Sequence, residues 1–133
     1  MLDTNVWVSA LLWGGKPAAI VRAAEEKKLN IFISEDIATD ISQVLAYPKL
    51  EKTYHPILRR QDLIEQVLKN AKFVKVTNKV ELIKEHPADN KFLECALAAK
   101  ADYIVSGNRH LLKVVSYKRI PVFSVSDFLA LIE

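Results

Sequence analysis

Three aspartates, Asp3, Asp40 and Asp89, lie far apart along the chain in settings where a carboxylate could do chemistry. Asp3 opens the polar run Asp3-Thr4-Asn5 directly after the apolar pair Met1–Leu2. Asp89 opens a strongly periodic segment, and a second polar run, Ser106-Gly107-Asn108, follows the apolar stretch Tyr103–Val105. Carboxylates brought together repel, and each shifts toward protonation unless a cation neutralises it. Hard oxygen donors that leave room for water suit Mg²⁺ or Mn²⁺. Such an ion lowers the pKa of a bound water and polarises a phosphoryl oxygen, which is the chemistry of phosphodiester hydrolysis. Glu94, five residues after Asp89, is either a further acid of the same cleft or half of a surface salt bridge.

The elements that would position these groups follow from the pattern. Met1–Leu2 reads as the end of a short first strand, and Thr4 to Leu12 as a helix stopped by Gly14–Gly15. Pro17 suits the first turn of a second helix reaching about Lys28, and Asn30–Ile33 is a β-branched and aromatic strand. Ser34 is a favoured N-cap for a helix with the stripe Ile37, Ile41, Val44 and Leu45, which Pro48 ends. Arg59 to Lys69 is amphipathic, with Leu63, Ile64, Val67 and Leu68 inward. Lys72–Val76 alternates as a strand, and a short helix is expected around Val80–Lys84. Asp89 leads a helix with Phe92, Leu93, Ala96 and Leu97 on one face. Tyr103–Val105 and Ile120–Phe123 are strands, His110–Leu112 a helical turn, and Asp127–Ile132 a terminal helix. Strands separated by helices imply an α/β fold with a mainly parallel sheet covered on both faces. Ligands then collect beyond the carboxyl ends of the strands, where Asp3, Asp40, Asp89 and the Ser106-Gly107-Asn108 run would meet.

Composition bounds the rest. The 133 residues, half of them apolar, suit one domain with one core. A single cysteine, Cys95, fits a reducing cytoplasm. No signal peptide and no membrane-length apolar run stand out. The net charge of +3 permits nucleic-acid binding without demonstrating it. Lys16, Lys49, Lys91 and Arg109 fall in or near the loops of the expected edge, where a phosphate backbone would want cations; ordinary surface charge is the alternative for each.

Leu2-Asp3-Thr4-Asn5-Val6 resembles the opening motif of PIN domains. Asp40-Ile41 with Val44-Leu45 and Pro48-Lys49-Leu50, His86-Pro87-Ala88-Asp89-Asn90-Lys91-Phe92-Leu93-Glu94, and Tyr103-Ile104-Val105-Ser106-Gly107-Asn108 are similar, in order, to the later acidic segments of one bacterial and archaeal branch. The resemblance implies a three-layer α/β/α fold around a parallel sheet of about five strands. It implies a Mg²⁺- or Mn²⁺-dependent endoribonuclease, the toxin of a toxin–antitoxin pair, dimeric and silenced by a small antitoxin protein. Asp3, Asp40 and Asp89 would be metal ligands, with Asn5 and Ser106 supporting them by hydrogen bonds. Two departures stand out. Asn108 occupies a position where the branch carries Asp; an amide offers a metal one neutral oxygen and no charge. The branch also carries a few more residues before the Leu-Asp pair, so the first strand is expected to be nearly absent.

Other readings stay open on the residues alone. Asp3 and Asp89 are good helix N-caps, and Asp40 could be a solvated helix charge. Asn108 motivates a catalytically weakened PIN-like module that binds RNA or protein. A phosphatase using Asp3 as nucleophile usually places a second Asp two residues on, where this chain has Asn5. No Gly-x-Gly-x-x-Gly follows a strand, which argues against a dinucleotide enzyme.

Overall fold

The computed structural model describes residues 1–132. After the Met1–Leu2 segment come α1 (Thr4–Leu12), α2 (Gly15–Glu25), β1 (Ile31–Ile33), α3 (Glu35–Leu45), α4 (Pro48–Tyr54), α5 (Arg60–Asn70) and β2 (Ala71–Phe73). A 3₁₀ turn at Pro87–Asp89 leads into α6 (Asn90–Ala99). It is followed by β3 (Ile104–Val105), α7 (Arg109–Leu112), β4 (Ser116–Tyr117), β5 (Ile120–Phe123) and α8 (Val125–Ile132).

Local chemistry sets most of these boundaries. Asp3 and Ser34 cap α1 and α3 by accepting the backbone N–H of Val6 and of Ile37. Gly14 leaves α1 at φ +71°, a conformation an L side chain resists. The apolar stripes face one core in which Trp7, Ile33, Ile37, Leu45, Leu63, Leu93 and Ile104 are sealed from solvent. Around it α1 packs on α2 and α3, α3 on α5 and α6, and α2 on α8.

The α/β expectation holds, but the sheet is not one continuous run of about five strands. β1 pairs β2 in parallel, and β5 pairs β3 in parallel and β4 antiparallel, giving two separate small sheets. Met1–Leu2 contributes a single parallel bridge, Leu2 to Val105. Val105 N–H donates to Met1 O at 2.9 Å and Asp3 N–H to Val105 O at 3.1 Å. Among the described residues no backbone pairing joins Leu2 to β1, although Leu2, Phe32 and Val105 line one shallow cavity. A two-residue segment is too short to ladder on both sides, so the sheet is interrupted where the first strand is nearly absent.

Three local expectations need correcting, and one element was missed. No helix forms at Val80–Lys84; that stretch is irregular, and its backbone is held by side chains of α6. Pro48 does not merely end a helix. α3 stops at Leu45, and Pro48 starts α4, whose Tyr54 hydroxyl donates back to Leu45 O at 2.5 Å. Leu68 lies 43% exposed rather than inward, because α5 buries only the narrower stripe of Leu63 and Val67. The β4–β5 hairpin was not foreseen: its turn residues, Lys118 and Arg119, lack the usual glycine or asparagine.

That turn is strained, with φ +46° at Lys118 and +69° at Arg119. Replacing the pair by Asn-Gly should raise unfolding free energy by about 1 kcal/mol, since both residues tolerate left-handed backbone. The check is the denaturant midpoint at unchanged slope; an unmoved midpoint would mean that the turn stores no strain.

Candidate active site

Asp3 stands where the Met1–Leu2 segment passes into α1. Its side chain is 1% exposed in sum with its backbone, and both carboxylate oxygens are held. Oδ1 accepts the Val6 N–H at 2.8 Å. Oδ2 accepts the Ser106 hydroxyl at 2.5 Å and the Gly107 N–H at 3.2 Å. The Asp3 carboxylate therefore caps α1 and also bonds the loop after β3 through Ser106. Burial raises the Asp3 pKa above its ordinary 3.8. The hydrogen bonds from Ser106, Val6 and Gly107 oppose the rise, and the nearby Asp89 charge adds to it.

Asp89 is 5% exposed, in the 3₁₀ turn before α6. Its Oδ2 lies 2.9 Å from His86 Nδ1, an ion-pair distance when the imidazole is protonated. The contact lacks hydrogen-bond alignment, so this buried oxygen has no donor among the described residues.

Asp40 reaches the same edge from α3. Its Oδ2 accepts the Thr4 hydroxyl at 2.6 Å, and its Oδ1 lies 3.4 Å from Lys91 Nζ. Thr4 follows Asp3 and Lys91 is two residues past Asp89, so Asp40 contacts the starts of both α1 and α6. The acids do not form a preassembled cage: no group of three or more His, Cys, Asp or Glu side chains among the described residues could hold a metal ion. Mg²⁺ seldom needs one, since it keeps several waters and binds through one or two carboxylates plus substrate phosphate. The buried carboxylates of Asp3 and Asp89 are hard oxygen donors, which suit a divalent cation in donor chemistry.

The other expected residues divide. Glu94, 6% exposed, accepts the Val80 N–H through Oε2 at 3.0 Å. Asn90 brackets Ile83, accepting its N–H and donating to its carbonyl, both at 2.9 Å. The two side chains hold the segment that the sequence had marked as a helix, and Glu94 is no surface salt bridge. Asn5 is exposed and makes no side-chain hydrogen bond among the described residues. Asn108 caps α7 by accepting the His110 N–H at 2.8 Å, and its own N–H donates to Ser106 Oγ at 2.8 Å. Lys91 meets the acids. Lys16 instead bonds Ser126 of α8 at 3.3 Å, Lys49 rides exposed on α4, and Arg109 is exposed on α7.

Beside Asp40 opens a cleft of about 820 Å³, walled by α3, α6 and the 79–88 segment. Lys79 and Lys84 line it together with Lys91, whereas Lys16, Lys49 and Arg109 do not. Sequence reasoning missed those two lysines because it assigned their segment to a helix. It also missed Thr4 as the partner of Asp40, which nothing short of coordinates pairs across 36 residues.

A PIN-domain family model matches residues 1–110. The chain belongs to the PIN-domain family. PIN domains are generally nucleases that act on nucleic acids and use divalent metals. No curated protein and no solved structure matches this PIN domain significantly. No helix among its described residues is long and apolar enough to cross a membrane.

Two measurements follow for this PIN domain. Asn90→Ala should cost about 2 kcal/mol, because it leaves the buried N–H and carbonyl of Ile83 without partners. A denaturant titration checks this, and a loss under about 0.5 kcal/mol would show that water replaces the amide. The second concerns pH without divalent ions. Below 3.8 Asp3 is protonated in both states; above it the unfolded chain ionises first, so a penalty grows until pH passes the raised folded value. The stability of the wild type relative to Asp3→Asn should therefore fall as pH rises from about 4 toward 7. Parallel curves would contradict the raised pKa.

Proposed function

We propose that this PIN domain is a Mg²⁺- or Mn²⁺-dependent endoribonuclease, with Asp3, Asp40 and Asp89 as the acids of its site and the whole chain working as one domain. The observation that carries this reading is the burial of two carboxylates, Asp3 and Asp89, with the Asp89 charge adding to the rise of the Asp3 pKa and only His86 facing the Asp89 Oδ2. Family membership supplies the class of reaction.

Each side chain then has a task. Asp3, oriented by Ser106, Gly107 and Val6, and Asp89 would hold the cation. When bound, a divalent ion supplies a more acidic water and positive charge at the phosphoryl oxygen. Asp40, fixed by Thr4, presents its carboxylate to the same edge, and Lys91 balances its charge. Lys91, Lys79 and Lys84 give the adjoining cleft the cations that a phosphate backbone needs. The finer reading, a toxin held by a small antitoxin and acting as a homodimer in the cytoplasm, is supported by the likeness of the acidic segments to the toxin branch.

One observation favours a second reading. The Asn108 side-chain oxygen already accepts the His110 N–H, so the residue in place of the branch's fourth acid works as a helix cap. The alternative is a catalytically weakened module that binds RNA or protein.

Incubating purified protein with RNA and Mn²⁺ separates the two. Cleavage that EDTA abolishes and that falls at least tenfold in Asp89→Asn is expected. RNA binding without cleavage at any Mn²⁺ concentration would favour the alternative. Asn108→Asp keeps the cap and should raise Mn²⁺ affinity and cleavage rate; if both stay unchanged, residue 108 lies outside the site.

A further inference from the structure

Two imidazoles beside the acids have no part in the mechanism above. His86 and His110 stack in an offset, near-parallel arrangement, with ring centroids 5.6 Å apart and planes 4° from parallel. The stack is built rather than incidental. His86 is steadied by the approach of its Nδ1 to Asp89 Oδ2 at 2.9 Å. His110 Nδ1 lies 3.5 Å from Glu85 Oε2, and the Asn108 side chain caps the backbone N–H of His110. The pair is also asymmetric in exposure: the His110 side chain is 20% exposed and that of His86 56%. His110 is thus the more buried ring of the pair, and His86 keeps open surface toward solvent. Pro87 and Ala88, the next residues, line the cleft that contains Asp40 and Lys91, which puts His86 at its rim.

We propose that the His86–His110 stack is a platform on which a nucleobase of the RNA lies, next to the phosphodiester held by the acids. This rests on the nuclease reading and deepens it by naming the part of the substrate that the flanking surface takes. A flat π face accepts any base, so the platform adds affinity and register without reading sequence. Holding both rings in place before the RNA arrives lowers the ordering cost of binding. The cations of the cleft could hold the neighbouring phosphates while the ring holds the base, and the two contacts together would fix the strand along the edge.

The test is binding in EDTA, read by fluorescence anisotropy with a labelled octa-adenylate and the same octamer bearing abasic riboses. The wild type should bind the intact octamer about tenfold more tightly than the abasic one. His86→Ala should lose that advantage and leave abasic binding unchanged, and His86→Tyr should restore it. The exposed position makes both variants compatible with folding, which melting temperatures check. An equal loss on both octamers would make His86 a phosphate contact and overturn the proposal. So would no change on either, or no binding by the wild type. Because no metal is present, a wild type that stacks the octamer but never cuts RNA would sink the nuclease reading alone, and one that cuts RNA with His86→Ala unaffected would sink the platform alone.

Discussion

The buried carboxylate of Asp3 is the junction on which the rest of the edge depends. One side chain ends the Met1–Leu2 segment, caps α1 and ties down the loop after β3 through Ser106 and Gly107. Three donors around one carboxylate are what make its burial tolerable, since an ionised group removed from water without them would be far costlier. The same burial raises its pKa. A buried carboxylate with a raised pKa is thus produced by the packing that holds the first residues to the sheet.

The neighbouring acids are arranged as extensions of that junction. Thr4 is in place to bond Asp40 because Asp3 fixes the start of α1, and Lys91 is in place because the turn at Asp89 fixes the start of α6. Charge is balanced unevenly across the group. Asp40 has a lysine and a hydroxyl, and Asp3 has neutral donors only. Asp89 has an imidazole whose approach misses hydrogen-bond alignment. Of the three, only Asp40 faces a lysine.

Much of this was legible from residue order because it depends on local rules. Ser34 as a cap, the Ile37, Ile41 and Leu45 stripe and the stop at Gly14–Gly15 need only a few neighbouring residues to be read. Ser106 beside Asp3 could be expected because both follow strands of one parallel sheet. What was not legible depends on partners distant in sequence. The 79–86 segment has helix-compatible residues, but Glu94 and Asn90 satisfy its backbone in another form. The hairpin after α7 carries no turn residues that announce it, and its strained tip is held by pairing of β4 with β5. The lysines nearest the acids were half found. Lys91 sits on a periodic helix, whereas Lys79 and Lys84 sit where periodicity misled.

The way the 79–86 segment is held gives the cleft an adaptable wall. Side chains of α6 grip its backbone at two points, Val80 and Ile83, and both of those residues are themselves buried. The residues between and beside the grips, Lys79, Glu81, Leu82 and Lys84, are exposed and owe nothing to a ladder. The charge and shape of that rim can therefore change one residue at a time while the two anchors, and the fold they belong to, stay intact.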